Sequence, residues 1–259
     1  ATLDERGMKI LEPDQGFLAC GWEGKGRLPE PERIAAEVVR LLSVQDLAGK
    51  RILITCGPTC EDIDPVRFIT NRSTGRMGAA LVEAACLRGA EVTVISGPVA
   101  LDFAPWARVL NVRGASEMLV AVKETLPGMD VLIMAAAVAD YVPKEYREHK
   151  IKKERSEMTH LELRHSPDIL ASVKEQKGRR FFVGFAAETD DLRENALGKM
   201  KRKGLDMIVA NRVGEEGSGF ASNTNSGVMI TADGSQEVFE YVEKTMLAHM
   251  ILDKIRGAS

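Results

Sequence analysis

Cysteine is scarce: four in 259 residues, too few for a disulfide scaffold. Cys56 and Cys60 stand four apart, but no second pair of ligands follows at zinc-site spacing. The reading is free thiols in a reducing cytoplasm, with a Cys56–Cys60 disulfide as the lesser alternative. Strong net charge is also missing, since the formal value is only -3, and with it any footprint of nucleic-acid binding. No apolar run is long enough to span a bilayer as a helix, and no stretch reads as a signal peptide. The phosphate-binding pattern G-x-x-x-x-G-K-[ST] does not occur. Nor do glycines follow the first strand at the spacing of a dinucleotide fingerprint, because Gly75 and Gly78 come about two turns of loop too late. Together these absences leave a globular chain with 44% hydrophobic and 28% charged residues.

What is present is organised around residues 55–78. The apolar run Arg51-Ile-Leu-Ile-Thr55 reads as a buried strand, and Met77 to Arg88 as a helix with apolar periodicity. Between them lies a long polar loop with Gly57, Pro58, Pro65 and Gly75. Most strand-to-helix loops are far shorter, and a long one is usually functional. Its last part, Ser73-Thr-Gly-Arg-Met-Gly78, offers hydroxyls and backbone N–H groups at a helix start, which suits a phosphate.

From Arg51 onward the pattern alternates. Strands are predicted at 91–96, 109–112, 130–135, 181–186 and 206–210. Helices are predicted at 116–126, 167–176 and 192–203. The series implies an α/β fold with a mostly parallel, doubly wound, Rossmann-like sheet. A hairpin turning at Asp233-Gly234 and a helix over 242–255 close it. Upstream, residues 1–7 read as the middle of a helix, so the chain is expected to be a fragment of a longer protein. Residues 8–12 read as a short strand, Pro13 to Arg27 as a glycine-rich turn region, and Leu28 to Val44 as a helix opened by Pro29 and Pro31. A boundary is placed at 45/46. Basic residues cluster at 150–155 and 199–203, which on a mildly acidic chain suits a small anionic ligand. Tyr146 and Lys150 match the Tyr-x-x-x-Lys pair of short-chain dehydrogenases, but in a charged segment rather than on a helix, so an NAD(P) oxidoreductase is the weaker alternative.

Several motifs, taken in order, resemble one family. They are Gly57-Pro-Thr59, Ile63-Asp-Pro-Val-Arg-Phe-Ile69, Asn71, Ser73-Thr-Gly75, Met77-Gly78, Ala136-Ala-Val-Ala-Asp-Tyr141, Lys150-Ile-Lys-Lys153, Ser166-Pro-Asp-Ile169, Val183-Gly-Phe-Ala-Ala-Glu-Thr189, Gly219-Phe220 and Asn225. Over residues 50–256 the chain is similar to phosphopantothenoylcysteine synthetase, the CTP-dependent phosphopantothenate–cysteine ligase of bacterial coenzyme A synthesis. Ala19-Cys-Gly-Trp-Glu-Gly-Lys-Gly-Arg27 resembles the substrate clamp of the flavin-dependent decarboxylase that precedes this ligase in the bifunctional enzyme. The resemblance therefore implies a decarboxylase remnant over 1–45 and a ligase domain over 46–259. Cys20 matches the decarboxylase proton donor, while the FMN-binding portion lies outside this sequence. A non-catalytic piece that oligomerises or regulates the fused decarboxylase is a further alternative.

The resemblance also implies roles. Lys150 would hold the triphosphate and Asn71 would handle the acyl-cytidylate, by donating a hydrogen bond to the reacting carbonyl. Arg67 would anchor phosphopantothenate, and Ala137 would line its site. Ser73, Gly75, Ala135, Ala136, Asp140, Pro167, Asp168, Ile169, Leu170, Phe185, Lys199 and Lys203 would contact CTP, with Mg2+ carried by its phosphates. Each has a plainer reading too. Asp140 and Asn71 are common turn residues, Asp168 after Pro167 makes a good helix start, and Phe185 suits a core. The three alanines suit tight sheet packing, and Lys199 with Lys203 suits a solvated helix face. The family is dimeric, and the late hairpin is the expected contact element. Cys56, Cys60 and Asn223 depart from the family pattern.

Overall fold

The computed structural model describes residues 2–152, 160–188, 190–214, 219 and 222–258. The chain divides into two compact units, Ala1–Val44 and Gln45–Ser259.

The first unit holds a short helix α1 (Thr2–Glu5), strands β1 (Asp14–Phe17) and β2 (Glu23–Arg27), and helix α2 (Pro31–Leu42). The strand predicted at 8–12 is absent, because that segment finds no pairing partner. The glycine-rich stretch forms an antiparallel hairpin instead, with Gly16 opposite Gly24. Cys20 is exposed in its tip, which is closed by Leu18 N–H donating to Trp22 O at 2.8 Å. Pro31 opens α2, where a missing N–H does no harm.

The second unit is built on an eight-stranded sheet. Its strands are β3 (Arg51–Cys56), β6 (Glu91–Ser96), β7 (Arg108–Asn111), β8 (Val131–Met134), β11 (Phe181–Glu188), β12 (Met207–Arg212), β13 (Thr224–Thr231) and β14 (Gln236–Glu243). The spatial order is β14-β13-β12-β11-β8-β3-β6-β7. β7, β6, β3, β8, β11 and β12 run parallel, and β13 and β14 are antiparallel. Numbered by chain order, the parallel strands lie 3-2-1-4-5-6, the doubly wound Rossmann order. Central strands carry apolar residues on both faces, so β3 sends Ile52, Ile54 and Cys56 to one layer and Leu53 to the other. Helices α3 (Arg76–Leu87) and α7 (Lys244–Gly257) cover the first face. Helices α4 (Ala115–Thr125), α5 (Ile169–Val173) and α6 (Leu192–Lys203) cover the second.

Two small hairpins lie outside the sheet, and neither is visible in the sequence pattern. β4 (Cys60–Asp62) pairs with β5 (Phe68–Thr70) inside the long loop. β9 (Tyr141–Pro143) pairs with β10 (Leu163–His165). The helix predicted over 167–176 starts two residues late, because the Asp168 carboxylate accepts the Ala171 N–H and makes Asp168 the cap rather than a helical residue, and its last turn, Lys174–Gln176, tightens to a 3-10 helix. The last helix starts two residues late because Val242 and Glu243 still belong to β14. The late hairpin turns as predicted, with Gly234 at φ 88°.

Candidate active site

In the doubly wound order the chain reverses direction between β3 and β8, so their carboxyl ends form the switch point where open α/β sheets take ligands. What lies there is a strip of small residues, 135–140. Its backbone is held by its neighbours one peptide at a time. Ala136 N–H donates to Thr55 Oγ1 at 3.1 Å, Ala137 N–H to Gly57 O at 2.8 Å and Ala139 N–H to Thr59 Oγ1 at 3.0 Å. Thr55 and Thr59 are fully buried, so each hydroxyl is a fixed acceptor rather than a solvated one. Pro58 and Ala137 form a parallel bridge that extends the β3–β8 pairing into the loops.

Asn71 closes this strip from above. Its Nδ2 donates to Ala137 O and to Val138 O, both at 3.1 Å. Two carbonyls on one side of the amide fix which end is nitrogen. The sequence reading has this amide donating to a reacting carbonyl. In the structure its two hydrogens are already given to the strip, and the end that remains for a ligand is Oδ1, an acceptor.

Ser73 and Gly75 lie at the start of α3. Gly75 caps the helix with φ 78°, a conformation that favours glycine, and its N–H donates to Ser73 Oγ at 3.3 Å. Gly78 follows because the helix presses on the end of β3. A Cβ there would stand 2.5 Å from Cys56 Sγ and 3.1 Å from its Cα. Cys56 therefore takes the small-residue role the pattern asks for. It is buried, donates toward Gly75 O at 3.2 Å, and burial pushes its thiol up to about 12. None of the four cysteines is in a disulfide.

A second cluster surrounds the carboxyl end of β11. Lys199 Nζ donates to Phe185 O at 2.8 Å, and Lys203 forms an ion pair with Asp168. Both lysines are one turn apart on α6 and both reach the same end of the sheet. They are therefore not a solvated face. Burial pulls both amines below the ordinary lysine value, and the Asp140 carboxylate opposes that shift in each. Glu188 adds to this opposition at Lys199. Asp140 thus faces both lysines, and its carbonyl accepts the Ser166 N–H at 2.9 Å. Phe185 is half-buried against the α3/α7 layer, and Ile169 and Leu170 are core residues of the other layer. The side chains of Ile169 and Leu170 thus serve packing. Pro167 stands one residue before the cap Asp168.

The third group joins Arg67 to the Lys150 segment. Asp64 is buried, and its Oδ1 accepts the N–H groups of Val66 and Arg67, both at 2.8 Å. Its Oδ2 accepts Arg67 Nη1 at 2.9 Å and Ile151 N–H at 3.1 Å. The Arg67 guanidinium also donates to Ile151 O at 3.2 and 3.3 Å. Burial alone would raise the Asp64 carboxyl, but the N–H groups of Ile151, Val66 and Arg67 and the Arg67 charge hold it below the usual carboxylate range. Lys150 is exposed. Tyr146 and Lys150 lie in irregular chain, off any helix. Lys153, Thr189 and Phe220 lie outside the described residues, and Cys20 belongs to the first unit.

Sequence reasoning misses Thr55, Thr59 and Asp64 as site residues. Asn223, where the family pattern has an aspartate, accepts a hydrogen bond from Arg76 at 2.8 Å through Oδ1, an atom both side chains possess. Among the described residues no group of three His, Cys, Asp or Glu stands ready for a metal, and no helix is long and apolar enough to cross a membrane.

Comparison with known proteins places this geometry in a family. Residues 47–258 match the DNA/pantothenate metabolism flavoprotein C-terminal domain. The coenzyme A biosynthesis bifunctional protein CoaBC of Bacillus subtilis is 43% identical over all of this chain and 64% of its own length. A cysteine/cysteine sulfinic acid decarboxylase from an unknown prokaryotic organism is 44% identical over 98% of this chain and 72% of that protein. A crystal structure of the C-terminal domain of CoaBC is 40% identical, with a TM-score of 0.71, covering 82% of this chain and 97% of that one. The chain thus spans about 64% of the Bacillus subtilis relative.

Proposed function

The chain belongs to the DNA/pantothenate metabolism flavoprotein C-terminal domain family, and from that premise we propose that it joins cysteine to 4'-phosphopantothenate at the expense of CTP. The phosphopantothenate carboxylate attacks the α-phosphorus of CTP and expels pyrophosphate. The amine of cysteine then attacks the acyl carbon of the acyl-cytidylate and expels CMP. A carboxylate is a poor acylating agent, and the nucleotide supplies the leaving group.

The observation that carries this reading is the Asn71 amide set on the Ala137 and Val138 carbonyls at the switch point, beside lysines aimed at the same sheet end. Negative charge gathers in the first step, which calls for fixed cations and N–H donors. Lys199, Lys203 and Lys150 supply the cations, and the Ser73 hydroxyl with the main chain at the start of α3 supplies the donors. Mg2+ would be carried by the phosphates, where it would offset their charge, and Asp140 would be the protein carboxylate to hold it. One or two protein carboxylates beside substrate phosphates are the usual environment for this ion. In the second step Asn71 Oδ1 accepts an N–H of the incoming amine and aligns its lone pair on the acyl carbon. Arg67 grips the acid, as a guanidinium can at two points.

Residues 1–45 are read as the end of the decarboxylase portion, which would bind FMN upstream, with Cys20 as its proton donor. The whole protein is read as a cytoplasmic homodimer carrying both activities.

The test is pyrophosphate release from CTP with phosphopantothenate, with and without cysteine, in wild type and Asn71→Ala. Wild type should turn over fully only with both acids, and the variant should activate phosphopantothenate but stall before product. No pyrophosphate under any condition overturns the reading. The relative named as a cysteine decarboxylase favours a second reading, and carbon dioxide release from cysteine alone would support it.

A further inference from the structure

We propose that Asp64 is a positioning residue that sets Arg67 and the Lys150 segment in one register, so that the acid and the triphosphate are aligned by a single buried carboxylate. The proposal rests on the reading that Arg67 holds phosphopantothenate and Lys150 holds CTP.

The geometry divides Asp64 into two tools. Oδ1 closes the Asp64-Pro-Val-Arg67 turn by taking the Val66 and Arg67 N–H groups. Pro65 suits that turn because its φ is preset at the second position. Oδ2 looks outward from the turn and takes the Arg67 guanidinium and the Ile151 N–H. Arg67 in turn holds the Ile151 carbonyl. Both polar groups of the Ile151 main chain are therefore gripped, one by Asp64 and one by Arg67, at the residue next to Lys150. The Arg147 N–H donates to Ile63 O at 2.9 Å, which pins the same segment once more from the same turn. Asp64 side-chain burial excludes water as a substitute acceptor, since the carboxylate is 0% exposed. Loss of Oδ2 as an acceptor thus reaches two ligand contacts that are 83 positions apart in the chain.

Asp64→Asn separates the two tools. The asparagine Oδ1 still closes the turn, but its Nδ2 accepts neither the Ile151 N–H nor the guanidinium. In an enzyme whose wild type releases pyrophosphate, the variant should bind CTP and phosphopantothenate each about ten- to a hundred-fold more weakly, the range for losing a charged buried hydrogen bond. The KM for cysteine should stay within about two-fold, because cysteine meets Asn71 and not this turn.

A double-mutant cycle with Lys150→Ala reads the coupling. If Asp64 acts on CTP through Lys150, Asp64→Asn adds little further CTP loss in the Lys150→Ala background. Full additivity overturns the proposal, as does an equal loss for all three substrates with a collapsed melting temperature. If Asp64→Asn does not fold, Arg67→Ala replaces it, since alanine removes the one group that joins Asp64 Oδ2 to the Ile151 carbonyl. It should then weaken CTP binding as well as acid binding, and unchanged CTP binding overturns the proposal. A wild type that neither binds CTP nor releases pyrophosphate overturns the ligase reading and this proposal with it. An active wild type beside an unaffected Asp64→Asn overturns the proposal alone.

Discussion

Replacing Thr59 by valine removes one atom's worth of chemistry from the floor of the site. Valine has nearly the same shape, and Thr59 is 0% exposed, so packing is conserved while the hydroxyl acceptor is lost. The Ala139 N–H, now 3.0 Å from Thr59 Oγ1, is left without that partner at a residue only 3% exposed. An unsatisfied buried N–H costs about 1–3 kcal/mol. With a urea slope of about 3 kcal/mol per molar, a loss of 2 kcal/mol lowers the midpoint by about 0.7 M at unchanged slope. Serine at the same place keeps the acceptor and loses one methyl, about 1 kcal/mol. The two variants are thus close in stability but far apart at the site. Valine frees the strip and should raise the KM for nucleotide, whereas serine should leave it near wild type. Urea unfolding followed by circular dichroism gives the first number, and initial rates of pyrophosphate release give the second. A valine variant within about 0.3 kcal/mol of wild type would falsify the reasoning, because the hydroxyl would then contribute nothing net. A serine variant as impaired as valine would refute it equally.

Thiol labelling separates the cysteines: Cys20 is exposed and Cys56, Cys60 and Cys86 are buried, so a water-soluble reagent should modify one thiol quickly in the native protein and all four after unfolding. Cys56 should be slowest, since its thiol is held up at about 12, and fast labelling of three or more thiols contradicts the fold described. Lys244 gives a pH signature. Burial, helped by Arg76, brings its amine from the ordinary 10.5 down to about 8. Below pH 8 both folded and unfolded chains hold the proton and the penalty is full; between the two values the unfolded chain binds more protons, so this group makes stability rise with pH. From pH 7.5 to 9.5 wild type should therefore gain about 2 kcal/mol relative to Lys244→Met, and a difference that does not change with pH refutes it.

The inner strands of the sheet are legible in the sequence because they are short apolar runs whose two faces are both covered, and the exposed edge strand β7 is legible only from its place in the alternation. Each such run, from 51–55 to 206–210, became a parallel strand. The small hairpins are not legible, because β4–β5 and β9–β10 are three-residue strands whose pairing is decided by neighbours rather than by alternation. The strand expected at 8–12 shows the converse: an apolar pattern without a partner does not make a ladder. At the site, Asn71 and Asp140 stand out as polar residues in family motifs and Lys199 and Lys203 as members of a basic cluster, and the structure gives each a contact or a charged neighbour at the sheet ends. Thr59 and Asp64 lie inside such motifs and Thr55 just before one, yet the sequence gives none of the three a role. Their partners, Ala136, Ala139 and Ile151, lie 81, 80 and 87 positions away, and only the switch point brings them together.

The strip at 135–140 bears on how such a site can change over generations. Apart from the Asp140 carboxylate, its polar surface belongs to peptide groups, which any substitution except proline leaves in place. Exchange among apolar residues at 135–139 alters bulk and little else. New selectivity in this wall must therefore arise at a distance, through the residues that prop it: Thr55, Thr59 and Asn71. A ligand that binds by copying main-chain contacts would leave a population few single-step escapes, since each prop is also a support for the native turnover.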